Sequence, residues 1–96
     1  MEKGIKMISA VSNVLSYRKL HPSASSEEIL KYVSRFISNE KDSETKISML
    51  AAAARATSII ERKPMSSDRE VIKRVVDELP KIIEESSDTS LVDGRR

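Results

Sequence analysis

The single histidine, His21, stands directly before Pro22. An imidazole titrates near neutrality and is the commonest general base, but that work requires a partner to orient the ring. No neighbour in sequence supplies one, so a solvated loop histidine is expected. With one His and no Cys, a zinc site lacks its ligand set, and neither a thiol nucleophile nor a disulfide can be written. Carboxylates are numerous in the last third of the chain. Asp77 with Lys81 and Glu70 with Arg74, however, have the i, i+4 spacing of ion pairs on a solvated helix face. A di-metal or acid–base pair would need convergence into a pocket, and the Glu-x-x-His signature is missing.

Serines recur at Ser23, Ser25, Ser26, Ser66 and Ser67 without the G-x-S-x-G elbow of an activated hydroxyl. Gly4 and Gly94 are the only glycines, too few for a phosphate loop or a dinucleotide fingerprint. The expectation is a chain with no catalytic residues, no cofactor, no metal and no small-molecule substrate.

Cationic residues offer a different chemistry. Arg55, Arg62, Lys63, Arg69, Lys73 and Arg74 gather near one inter-helix junction and suit phosphate contacts, with a helix entering a major groove. Glu61, Asp68 and Glu70 are interspersed among them. The aromatics are only Tyr17, Tyr32 and Phe36, which gives no stacking platform for single strands. A regulatory DNA- or RNA-binding domain is therefore the alternative reading, and a solvated mixed-charge face the simpler one.

These residues must be positioned by helices. At about 100° per residue, Met7, Ile8, Val11, Val14 and Leu15 share one sector from about Lys3 to Lys19, opposite Lys6, Ser9, Asn13 and Ser16. His21-Pro22 stops that helix. Ser25-Ser26-Glu27-Glu28 is a capping box, followed by the stripe Ile29, Leu30, Val33, Phe36 and Ile37, with Tyr32 at its edge. Asp42 or Ser43 caps the third helix, from Glu44 to about Arg62. This helix is apolar nearly all round: Ile47, Met49, Leu50, Ala51 to Ala54, Ala56, Ile59 and Ile60 leave a narrow polar strip of Glu44, Ser48, Arg55 and Arg62. Such a helix is expected at the centre of the molecule, its alanines admitting close neighbours. Lys63-Pro64 ends it, and Ser67-Asp68-Arg69-Glu70 is a second capping box. Val71, Ile72, Val75, Val76, Leu79, Ile82 and Ile83 then form one stripe, interrupted by Pro80, which predicts one kinked helix.

The chain has 96 residues, 33% of them charged and 39% hydrophobic. That fits a single domain over residues 1–85 with a flexible polar tail over residues 86–96, where periodicity ceases. No apolar run approaches the roughly 18 residues of a membrane span, and Lys6, Ser9, Ser12 and Asn13 interrupt any secretory core, so a cytoplasmic protein is expected. The net charge of +2 is unevenly spread. Met1 to Arg74 carries 14 basic and 9 acidic residues, whereas Val75 to Arg96 carries 3 and 6.

The fold class is thus all-α: a compact, antiparallel, bundle-like four-helix domain around the Ala-rich third helix. The leading functional expectation is a small non-enzymatic interaction or regulatory module that binds another protein or, as a homodimer, a second copy of itself. Met49, Ile59 and Ile60 lie apart from the Ile47–Ala54 sector. They are either buried within the same chain or form an association patch rimmed by Arg55 and Arg62.

Overall fold

Three of the four helices begin where a side chain captures an otherwise orphaned backbone amide. The computed structural model describes the backbone of residues 2–95 and the side chains of residues 3–84. The helices are α1 (Glu2–Leu20), α2 (Ser26–Ile37), α3 (Ser43–Arg62) and α4 (Asp68–Arg95). At the start of α2 the capping box is complete: Ser25 Oγ accepts from the Glu28 amide at 3.2 Å, and Glu28 Oε1 accepts from the Ser25 amide at 2.9 Å. Asp42 caps α3, its Oδ2 accepting from both the amide and the hydroxyl of Thr45. Ser67 Oγ accepts from the Glu70 amide at the head of α4. α4 continues through Pro80 as one helix. The tail expected over residues 86–96 falls outside the residues whose side chains are described.

Cross-links between the helices fix their directions. Near the start of α1, Lys3 pairs with Glu44 and Lys6 with Glu40, beside the head of α3. Near its end, Arg18 donates to the Ser66 carbonyl and to Asp68, just beyond the foot of α3. So α1 and α3 run parallel. Ser26, at the head of α2, donates to Glu61 near the end of α3, which makes α2 antiparallel to α3. α1 and α3 each pack against every other helix, whereas α2 and α4 lie on opposite sides and do not meet among the described residues. The Ala-rich helix is central, as its composition predicts, and α1 shares that position.

The core is almost entirely aliphatic. Met7, Val11 and Val14 of α1 meet Val33 of α2, Val71 and Val75 of α4, and the fully buried Ala52, Ala53 and Ala56 of α3. Burial of each large aliphatic side chain contributes about 1.5–3 kcal/mol. The alanines contribute little area, but they let the flanking helices approach α3 closely.

The orientation of α3 departs from the sequence expectation. Ser48, placed there on the polar strip, is fully buried, and Thr45 and Thr57 are buried too. Ile47 and Leu50, counted among the apolar residues that make this helix central, are 50% and 46% exposed. A helix apolar on nearly all sides does not declare which side faces inward. Its rotation is set by α1, whose bulky face lies against the small side chains. Among the described residues, no helix is long and apolar enough to cross a membrane.

Candidate functional site

The residues singled out from sequence do not assemble into one surface. Met49 is 3% and Ile59 5% exposed, so both belong to the core. Each lies on the face of α3 that α1 and its neighbours cover, and neither can be an external contact. Ile60 is half-buried against the same core. Arg55 is half-buried, its Nε 3.0 Å from Glu78 Oε1 in an ion pair tying α3 to α4. Arg62 is exposed, with Nη2 3.4 Å from the Ser58 hydroxyl. The association patch drawn from sequence is therefore replaced.

Lys63, Arg69, Lys73 and Arg74 are exposed, but the basic cluster is divided. Consecutive residues on a helix are turned by about 100°, so Lys73 and Arg74 look in different directions. Asp68, within the same stretch, is held by Arg18, and Glu61 by Ser26. His21 is exposed in the loop after α1, its ring centroid 4.4 Å from that of Tyr17. Tyr17 in turn stacks on Tyr32 of α2 at 4.6 Å. This aromatic column pins α2 to the end of α1.

The apolar surface that does come together lies between α1 and α4. These helices cross-link at one end through Arg18 and Asp68, and at the other Gly4 lies beside Leu79: a methyl group at Gly4 would stand 4.0 Å from Leu79 Cδ1. Around the Gly4–Leu79 approach an open groove of about 930 Å³ is lined on one side by Lys3, Ile5 and Ile8, and on the other by Val76, Leu79, Pro80 and Ile83. Ile5 is 68% and Val76 43% exposed. Ser9 and Ser12 place two hydroxyls on the α1 wall. Pro80 shapes the α4 wall twice over. Its ring is part of the lining, and because it has no N–H, the Val76 carbonyl loses its usual helical donor. The groove is thus mainly apolar, with the hydroxyls of Ser9 and Ser12 and the side chain of Lys3, which pairs with Glu44, on its α1 wall.

Sequence periodicity assigns Ile8, Val76, Leu79 and Ile83 to core stripes and Ser9 to a polar face, and leaves Ile5, Ser12 and Pro80 out of both, so the groove escapes it. Ile8, Leu79 and Ile83 do sit on the inward stripes. What opens the groove is the spacing between α1 and α4, on the side that α3 does not cover. A signal was nonetheless present: Ile5 lies off the α1 stripe, and Val76 lies toward the outer edge of the α4 stripe.

Other exposed apolar residues are less organised. Leu20 and Met65 stand at one end of the bundle, and Ile47 with Leu50 forms a ridge on α3. Single exposed side chains are ordinary on protein surfaces; two helices converging on one apolar hollow are not.

Comparison with protein-family models, with curated proteins and with solved structures finds no match.

Proposed function

We propose that this chain is a small non-enzymatic interaction module that docks an amphipathic helix in the groove between α1 and α4. The observation carrying this reading is the exposure of Ile5 and Val76 on opposite walls of one apolar hollow. A groove between two helices accepts the apolar stripe of a third, read at i, i+3, i+4 and i+7, which extends the packing already used inside the bundle. The hydroxyls of Ser9 and Ser12 on the α1 wall would orient the incoming helix.

The test is a methyl NMR titration with a synthetic amphipathic helical peptide, together with a dilution series of the protein alone. Ile5, Ile8, Val76, Leu79 and Ile83 should shift with peptide or with protein concentration, and Ile5→Asp should suppress those shifts while leaving helicity unchanged. If the groove methyls respond to neither titrant, this reading is wrong.

A further inference from the structure

The loop after α1 and the loop after α3 are built alike. α1 ends at Leu20 and α3 at Arg62, while α2 begins at Ser26 and α4 at Asp68, so each boundary recurs 42 residues on. Three backbone bonds order the first loop: the His21 amide donates to the Tyr17 carbonyl, the Ala24 amide to that of His21 and the Ile29 amide to that of Ser25. The second loop repeats all three at the same offset, from Lys63 to Ile59, from Ser66 to Lys63 and from Val71 to Ser67. Ser25 and Ser67 are equivalent caps, accepting from the amides of the equivalent Glu28 and Glu70. Pro22 and Pro64 occupy the same place in the two loops.

Sequence and burial keep this register with no insertion between residues 2–37 and 44–79. Ile5 recurs as Ile47, Met7 as Met49, Ala10 as Ala52, Lys31 as Lys73 and Val33 as Val75. Met7, Ala10, Val14, Ile29 and Val33 are buried, and so are their counterparts Met49, Ala52, Ala56, Val71 and Val75. Amphipathic periodicity alone would repeat the burial, but not the loop bonds, the caps and the proline at one offset. The packing follows the same rule. α1 and α3 lie parallel at the centre, with α2 and α4 on opposite sides of them. Ser26, the first residue of α2, bonds Glu61 in the last turn of α3; its counterpart Asp68, the first residue of α4, bonds Arg18 in the last turn of α1. Half a turn about a line between α1 and α3 therefore carries one hairpin onto the other.

We infer that the chain is a tandem duplication of one helix–loop–helix unit whose partner is a second copy of that unit, so that the fold is a twofold dimer closed within a single chain. Near a twofold axis equivalent residues share one space, and bulk on one side calls for a small residue on the other. The halves have diverged in that way: Val11 and Val14 of α1 have Ala53 and Ala56 as counterparts in α3, all four fully buried. Divergence also explains why the hollow is single. Ile5 and Ile8 recur as Ile47 and Leu50, but where α4 supplies Val76, Pro80 and Ile83, the first half has Ser34, Ser38 and Lys41.

Exchanging equivalent parts within the full chain tests the duplication. With residues 21–25 and 63–67 exchanged, the thermal midpoint should stay within about 6 °C of the original, because one backbone and one cap serve both loops. In the core, Val14→Ala leaves a cavity and Ala56→Val overpacks, and each alone should lower the midpoint by roughly 10 °C. The double variant moves the valine to the equivalent site and should melt above both single variants. Circular dichroism melts read all four proteins against the original. A larger loss on loop exchange, or a double variant melting no higher than either single one, overturns the inference.

Discussion

Replacing Ala52 by Leu places three additional carbons at a site with no exposed surface, on the helix around which the others pack. Nothing beside it can yield into solvent, so the added volume must push a neighbouring helix outward or force side chains from their rotamers. Overpacking of this kind costs about 1–3 kcal/mol. In a domain of this size each kcal/mol moves the thermal midpoint by about 4–8 °C. Ala52→Leu should therefore lower the midpoint by roughly 10 °C, taking about 2 kcal/mol as the central value. Ala54, two residues on and turned by about 200°, is exposed. Alanine and leucine are both strong helix formers, and surface substitutions usually stay within about 0.5 kcal/mol. Ala54→Leu should consequently leave the midpoint within about 4 °C. Thermal and urea unfolding followed by circular dichroism compares the two at low protein concentration. Equal destabilisation by both, or none from Ala52→Leu, would refute the central placement of this face of α3.

Three further outcomes follow from the polar contacts. Ser48 Oγ is buried with no hydrogen-bond partner among the described residues; removing an unsatisfied hydroxyl relieves a desolvation cost, so Ser48→Ala should leave stability unchanged or raise it by about 1 kcal/mol, and a fall of that size in urea unfolding would contradict its burial. Arg18→Met breaks the link from α1 to the Ser66 carbonyl and Asp68 and should cost about 1–2 kcal/mol, with faster amide exchange in the loop before α4; unchanged exchange there would count against it. The Lys6 ammonium and then the Asp42 amide hold the Glu40 carboxyl below its ordinary range, and the Thr45 hydroxyl and amide do the same for Asp42. Both carboxylates stabilise the fold when ionised, a contribution complete above their unfolded values and lost as pH falls through their lowered folded ones. The melting temperature should therefore drop on acidification through the carboxylate range, and a Glu40→Gln, Asp42→Asn double variant should show a shallower drop; identical slopes would refute the assignment.

The parts of the fold legible in sequence were those decided locally. Ser25 and Glu28 lie within one turn of each other, so spacing alone reveals that cap, while for α3 it leaves Asp42 or Ser43, of which Asp42 is the cap. Helices α1 and α2 have one apolar stripe each, and Val11, Val14, Ile29 and Val33 lie in the core as their period requires. In α3 the period carries no such information. Apolar residues on nearly every side make Met49 and Ile47 equivalent on paper, yet one is buried and the other half exposed. The ion pairs Lys6–Glu40 and Arg18–Asp68 join residues far apart in the chain, so no local pattern announces them. The groove belongs to the same class. It depends on how far α1 and α4 separate above Gly4 and Leu79, a distance set by packing against α3.

The working surface can be located directly by methyl chemical shifts of the unaltered protein over a dilution series and a titration with the amphipathic helical peptide. Shifts in one or the other are expected at Ile5, Ile8, Val76, Leu79 and Ile83, with Met49 and Ile59 unmoved inside the core. Shifts centred on Ile47 and Leu50 instead, with the groove methyls silent, would contradict the assignment of the α1–α4 hollow as the surface through which this protein acts.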